Sequence, residues 1–124
     1  MKKKMFSLLM ILVASVVLPT SVFAEGWRYN LGQWSSWGSS TVTTSYPKLA
    51  CTITNELGEG WARIQVKHNG KWKNAPYQNP ETASLSKNKK ITIKAPANKS
   101  SIYRIFIWTQ NSGVRGAVYC KGSN

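Results

Sequence analysis

Hydrophobic and polar residues alternate with a period of two along most of the chain after residue 40, which predicts β-strands rather than helices. The clearest example comes where Ala62, Ile64 and Val66 alternate with polar side chains. Asn69 and Gly70 follow, and this dipeptide is the strongest short signal for a two-residue hairpin turn. Strands are therefore predicted at 41–44, 50–54, 61–68, 71–73, 90–95, 102–109 and 114–120.

The segment 102–109 is apolar on both faces, so we expect it to be a central strand that is covered on both sides. Turn-forming residues separate the strands, among them Asn79-Pro80, Ala95-Pro96 and the Asn-Ser-Gly triplet at 111–113. Short strands at this spacing are typical of sandwiches and barrels. Residues 25–124 are therefore predicted to be all-β, a small single-domain antiparallel β-sandwich (or barrel) of about six to seven strands.

The two cysteines of the chain, Cys51 and Cys120, are predicted to form one disulfide. Cys51 shares a strand face with Ile53, and Cys120 shares one with Val118, so the alternation places both sulfurs inward. The bridge would join either the two sheets or two neighbouring strands. The competing interpretation is a reactive thiol, for which His68 is the one imidazole in the sequence.

The first 24 residues have the pattern of a signal peptide. Lys2, Lys3 and Lys4 precede an apolar run at 5–18, and small residues precede a cleavage site near Ala24-Glu25. The apolar run is short for a membrane anchor, which needs roughly 20 residues. The sequence therefore predicts a secreted protein that begins at Glu25, and an oxidising environment agrees with a disulfide.

The composition weighs against catalysis. The 124-residue chain has no aspartate, four glutamates and one histidine, against 17 lysines and arginines, with a net charge of +13. Hydrolytic and metal sites need paired carboxylates or a ligand cluster, and Glu56 and Glu59 lie in a predicted turn where carboxylates are usually solvated. We therefore expect a protein that is not an enzyme, with no cofactor and no metal.

The segment 25–40 combines three tryptophans with glycine and small polar residues and has no clean periodicity. Its aromatic side chains could form an exposed platform for sugar rings or lipid headgroups, because indole pairs an apolar body with a hydrogen-bond donor. They could equally fill the core of a small domain. The spacing of Trp34 and Trp37 does not suit one strand face, so at least one of the two is expected to point outward.

Two clusters of basic residues stand out in the sequence, and Arg63, Lys67, Lys94 and Arg104 fall on the polar faces of their predicted strands. Lys71 and Lys73 flank Trp72 beside the predicted hairpin turn, and a second group precedes the strand at 90–95. So large an excess of positive charge predicts attraction to polyanions, with strong salt dependence. An exported protein meets anionic lipid, teichoic acid or wall precursors rather than nucleic acid, so no nucleic-acid partner is expected.

Two short resemblances add to this interpretation. The mature start at Glu25-Gly26 and the aromatic, serine-rich stretch leading into 51–55 resemble the lactococcin 972 group of secreted bacteriocins over about 30 residues. That group consists of small cationic all-β proteins that bind a cell-wall precursor. The triplet Trp27-Arg28-Tyr29 is similar to the one by which tendamistat-type inhibitors block α-amylase. This chain is longer than the lactococcin 972 proteins. It also has a single cysteine pair, whereas two disulfides frame the triplet in tendamistat-type inhibitors.

The leading hypothesis is a secreted cationic antibacterial, bacteriocin-like protein that binds the envelope of competing bacteria, with an immunity protein in the producing cell. The alternatives are a non-toxic binding module for wall or matrix polysaccharide, and a secreted inhibitor of a foreign enzyme. The residues expected to make the contacts are Trp27, Arg28, Tyr29, Trp34, Trp37, Lys71, Trp72, Lys73, Lys87, Lys89 and Lys90.

Overall fold

A computed structural model describes residues 24–124, and all of the predicted signal peptide (1–24) except Ala24 lies outside the described residues. The described chain is all-β, as predicted, and contains no helix. No helix long and apolar enough to cross a membrane is found among the described residues. The strands are β1 (Ala24–Leu31), β2 (Ser36–Gly38), β3 (Lys48–Gly58), β4 (Gly60–His68), β5 (Lys71–Asn74), β6 (Ala83–Leu85), β7 (Lys89–Pro96), β8 (Tyr103–Trp108) and β9 (Val114–Ser123).

The strands form two antiparallel sheets, which confirms the predicted sandwich-like architecture. The four-stranded sheet has the order β1-β9-β3-β7. The five-stranded sheet has the order β2-β8-β4-β5, and β6 pairs with β4 beyond the end of β5. Most neighbours within a sheet are far apart in sequence, so the fold depends on long-range pairing.

The core lies between the sheets and is made by the inward half of each alternating pattern. Burying one aliphatic side chain of this size is worth about 1.5–3 kcal/mol, so a few such residues from each sheet set the inner face of every long strand. The largest fully buried aliphatic side chains are Leu49, Ile53, Ile64, Ile93, Ile105 and Ile107.

The predicted disulfide joins two neighbouring strands of one sheet. Cys51 on β3 lies directly opposite Cys120 on β9, and both side chains are fully buried. This register settles which of the two predicted bridges is formed. Because neither cysteine is free, the reactive-thiol interpretation is wrong.

Three local expectations differ from the structure. The segment 41–44 forms no strand, and Val42 makes an isolated bridge to Tyr103 instead. The described chain has nine strands, which is more than predicted. Two of the unpredicted strands, β2 and β6, have three residues each and are too short for periodicity to detect. The start of the N-terminal segment forms the regular strand β1, since all eight of its residues pair with β9. Tertiary pairing here overrides a weak local pattern.

Strand β8 is not covered on both sides, so that expectation is wrong for its outer face. Its inner residues, Tyr103, Ile105 and Ile107, are buried between the sheets. Its outer residues, Arg104 and Phe106 with Trp108, are half-buried. Large side chains of the adjacent strands shield them in part, and the described chain supplies no third layer above them.

Tyr29 belongs to a buried hydrogen-bond network between the sheets. Its hydroxyl donates to Asn55 Oδ1 at 2.8 Å, and Asn55 Nδ2 donates to the carbonyl oxygens of Gly58 at 2.9 Å and Ser86 at 2.8 Å. Burial, reinforced by the Glu56 carboxylate, raises the pKa of Tyr29, so the hydroxyl stays protonated and donates. The network fixes β1 against the end of β3.

Replacing Tyr29 by phenylalanine is expected to lower the free energy of unfolding by about 1–3 kcal/mol, because the buried Asn55 Oδ1 would lose its donor. Urea denaturation measures this change as a lower midpoint at unchanged slope. Tyr77→Phe is the control, since Tyr77 is 89% exposed. Equal midpoints for the two variants would contradict the assignment of Tyr29 to the core network.

Candidate functional site

The outer surface of the five-stranded sheet carries a set of aromatic and cationic side chains that the strand register brings together. Trp61 lies opposite Trp108, and Arg63 lies opposite Phe106. One strand further out, Trp72 of β5 lies opposite Lys67 of β4. We call this surface the aromatic–cation face, and its members are Trp61, Arg63, Lys67, Trp72, Arg104, Phe106 and Trp108.

Three aromatic rings form a continuous cluster at one end of this face. The ring centroids of Trp61 and Trp108 are 6.2 Å apart with an interplanar angle of 23°. The Phe106 centroid is 5.9 Å from that of Trp108, at 28°. Aromatic pairs at these separations gain about 0.5–1.5 kcal/mol beyond the burial of their area. The cluster is therefore a semi-rigid apolar surface, and its rings remain partly open to solvent.

Arg63 extends the cluster with a positive charge. Its Cζ atom lies 5.3 Å from the centroid of the Trp108 ring, within the range of a cation–π contact. Its Nε donates to Thr82 Oγ1 at 2.7 Å, which fixes the plane of the guanidinium. The terminal guanidinium nitrogens make no hydrogen bond or ion pair within the described chain. They are available to an external anion.

Arg104 occupies the other end of the face, between two aromatic rings. Its Cζ is 4.4 Å from the Trp72 centroid and 5.2 Å from the Phe106 centroid, and its Nε donates to Gln65 Oε1 at 2.9 Å. A Cβ atom on Gly38 would lie 2.6 Å from Arg104 Nη1, so glycine provides the space for this guanidinium. Partial burial lowers the pKa of Arg104, but arginine remains charged at any physiological pH.

No carboxylate neutralises these cations. The salt bridges of the described chain both involve Glu56, which pairs with Arg28 at 3.0 Å and Arg115 at 3.8 Å on the other sheet. Lys67, whose Nζ lies 5.7 Å from the Trp72 centroid, likewise has no acidic partner there. The face therefore presents three positive charges beside aromatic rings, with no compensating charge.

This combination of groups is chemically suited to binding an anion. Guanidinium and ammonium groups bind phosphate or carboxylate, and tryptophan rings stack on the apolar faces of other rings. The described residues contain no group of three histidine, cysteine or acidic side chains that could hold a metal ion. The arrangement fits an anionic ligand that also offers flat or apolar surfaces, such as a charged sugar polymer.

Three aromatic residues of the N-terminal segment pack in or against the core, and the assignment of the buried Tyr29 as a ligand contact is wrong. Tyr29 is 3% exposed and cannot meet a ligand. Trp27 and Trp37 are half-buried and pack against the core, and the Trp37 ring centroid is 6.1 Å from that of Tyr29. Trp34 is 70% exposed at a turn, which confirms that at least one of Trp34 and Trp37 points outward.

The predicted basic contacts are dispersed over the molecule. Arg28 makes two 3.0 Å hydrogen bonds to Glu56, so it is committed to an internal ion pair. Lys71 and Lys73 are exposed on β5, but strand alternation points them away from the side that carries Trp72. The three remaining lysines also lie apart from one another. Lys87 is exposed in the turn before β7, Lys89 is half-buried in β7, and Lys90 is exposed on the outer face of the four-stranded sheet.

Trp72 is therefore the one sequence-predicted contact that belongs to the aromatic–cation face. Phe106 and Trp108 were missed because the segment 102–109 was expected to be covered on both sides. The sequence also did not show that Arg63, Lys67 and Arg104 lie beside aromatic rings of other strands. The signal was present in the alternation of β8, where Arg104, Phe106 and Trp108 share the face opposite the buried isoleucines. Trp61 and Arg63 show the same arrangement in β4.

Comparison with known proteins identifies no family. No family model matches the sequence, and no curated protein matches it. A solved structure described as the crystal structure of PirA is 13% identical in sequence, with a TM-score of 0.48. The alignment covers 84% of this chain and 96% of that one. Neither a family nor a function follows from this similarity.

Proposed function

We propose that this protein is an exported cationic antibacterial protein that binds phosphate-bearing glycopolymers of the bacterial envelope. The observation that supports the proposal is the aromatic–cation face, where three cations without acidic partners lie among four aromatic rings. The cations would bind polymer phosphates, and the rings would stack on the sugar or polyol units between them.

The charge of the whole chain supports a polymeric anion. Removal of the predicted signal peptide with its three lysines leaves 14 of the 17 basic residues against four glutamates, so the exported protein attracts a negatively charged wall before any specific contact forms. This long-range part of the interaction is screened by salt over a Debye length of about 8 Å at physiological ionic strength. The stacking part is not screened, so binding should weaken with salt but not disappear.

The competing functions differ in what they require of the molecule. A non-toxic wall or matrix polysaccharide module would use the same face and leave target cells alive. An enzyme inhibitor of the tendamistat type would need an exposed loop, whereas Trp27-Arg28-Tyr29 lies within β1 with its two aromatic side chains against the core. The face therefore favours an envelope polymer over a foreign enzyme.

The proposal is tested with purified Gram-positive cell walls before and after removal of their phosphate-linked polymers. The oxidised protein is expected to sediment with untreated walls at low and at physiological salt, and to lose most of this retention on stripped walls. Equal retention on both preparations would overturn the assignment to a phosphate-bearing polymer. Retention by anionic lipid vesicles but not by walls would identify a membrane ligand instead.

The antibacterial part of the proposal needs a separate measurement. Growth and membrane potential of a panel of Gram-positive strains should be followed after addition of the oxidised protein. Growth arrest without depolarisation is the expected result, because a surface polymer is bound rather than the bilayer. Normal growth of cells that carry bound protein would reject killing and support the polysaccharide-binding module.

A further inference from the structure

The outer surface of the four-stranded sheet carries a depression, which lies on the opposite side of the sandwich from the aromatic–cation face. Its volume is about 690 Å³. The strand register sets Tyr119, Thr52 and Thr92 in one row across β9, β3 and β7. The next row places Ala117 beside Thr54 and Lys90. The polar lining consists chiefly of Thr52, Thr54, Lys90, Thr92, Tyr119 and Lys121.

The floor of this depression carries threonine hydroxyls beside apolar atoms of Ala117 and Val118. The Oγ1 atoms of Thr52 and Thr92 lie 2.8 Å apart and share one hydrogen bond, which leaves the remaining capacity of both oxygens for a ligand. Tyr119 is 50% exposed. Its ring lies beside Gly26, since the Tyr119 Cδ1 atom is 3.5 Å from the position that a Cβ atom on Gly26 would occupy. The ring thus forms an apolar side wall beside the threonine hydroxyls.

Two lysines supply the charge. Lys90 and Lys121 line the depression, are exposed, and make no ion pair within the described chain. The Arg28 guanidinium at the margin is already held by Glu56. A ligand with one anionic group and several hydroxyls matches this set, since lysine binds the anion while threonine hydroxyls exchange hydrogen bonds with the ligand hydroxyls.

We infer that this depression, here called the threonine–lysine site, is a second binding site for a phosphate-bearing sugar unit of the same polymer. The inference rests on the proposed function and extends it. Because the two sites lie on the outer faces of opposite sheets, one molecule cannot present both to a single flat surface. The protein is therefore bivalent and links two polymer strands. Once one site has bound a polymer strand, the other site is held close to neighbouring strands of the wall. Its effective concentration is therefore raised, which strengthens retention of the protein in the wall.

Isothermal titration calorimetry with a short ribitol phosphate oligomer that carries N-acetylglucosamine tests this inference. The oxidised protein is expected to bind about two oligomers per molecule, because each face takes one. Thr52→Val with Thr92→Val removes the paired hydroxyls without changing the charge, and is expected to reduce the stoichiometry to about one. Lys90→Gln with Lys121→Gln should act on the same site.

Trp61→Ala with Trp108→Ala is the matched variant for the opposite face, and should also leave one site occupied. Each variant is first checked for an unchanged fold by circular dichroism and thermal unfolding. The second site would be overturned if the unmodified protein bound one oligomer and only the tryptophan variant lost that binding. The proposed function would then remain intact. No binding of the oligomer by the unmodified protein would overturn both.

Discussion

Replacing Arg63, Lys67 and Arg104 together by glutamine is expected to weaken binding to phosphate-bearing wall polymer by on the order of a hundredfold. Each ion pair between a partly exposed cation and a ligand phosphate is worth up to about 1 kcal/mol, so the three together give about 3 kcal/mol, and about 1.4 kcal/mol corresponds to tenfold in affinity. These three cations have no acidic partner in the described chain, so their full charge is available to the ligand. Dissociation constants measured at physiological salt give the comparison.

The matched control is a triple glutamine variant of Lys73, Lys87 and Lys99, which are exposed outside both proposed sites. It removes the same charge, and it tests two lysines that the sequence alone had favoured as contacts. A loss of a few-fold or less is expected, because long-range attraction is largely screened at this salt concentration. Equal losses in the two triple variants would show that bulk charge drives binding, and would contradict a dedicated face.

The second large effect concerns the disulfide. Replacing Cys51 and Cys120 by alanine is expected to lower the free energy of unfolding by roughly 4 kcal/mol, since the bridge closes a loop with a sequence separation of 69 residues. For a domain of this size the melting temperature should fall by on the order of 20 °C. Thermal unfolding followed by circular dichroism, with denaturation in urea, measures both quantities.

A reduced sample of the unmodified protein provides the control, because it retains the sulfur atoms and loses only the bond. If the chain-entropy argument holds, the reduced protein and the alanine variant should be destabilised to a similar degree. A drop in the alanine variant alone would assign the effect to lost packing of two fully buried side chains. Unchanged stability in both would contradict a structural role for the bridge.

Local periodicity was sufficient to identify the long strands after residue 40, whereas the eight-residue strand β1 escaped it. In β4 and β9 the buried and exposed positions follow the alternation that the sequence shows. The hairpin turn after β4 has Asn69 and Gly70 at φ of 51° and 77°, the left-handed conformation that this dipeptide favours. The same period-two argument pointed Cys51 and Cys120 inward, because the orientation of a strand residue depends on its own neighbours.

The composition of the aromatic–cation face could be anticipated from the sequence only in kind. An excess of cations and tryptophans indicated an anionic ligand, but the particular contacts depended on which strands pair. Tyr29 illustrates the difficulty, because its burial follows from the pairing of β1 with β9 and from the position of Asn55. Neither partner is close to it in sequence.

The sequence by itself therefore determined most of the long strands, the inward direction of the cysteines and the excess of positive charge, since these properties are local or additive. Only the tertiary structure decided that Trp72 meets Arg104 and that Arg63 lies over Trp108. Those contacts join residues of strands that are separated in sequence, and their register is fixed by the burial of the opposite faces. The physical reason is that a sheet surface is assembled across strands, whereas a sequence pattern extends along one strand.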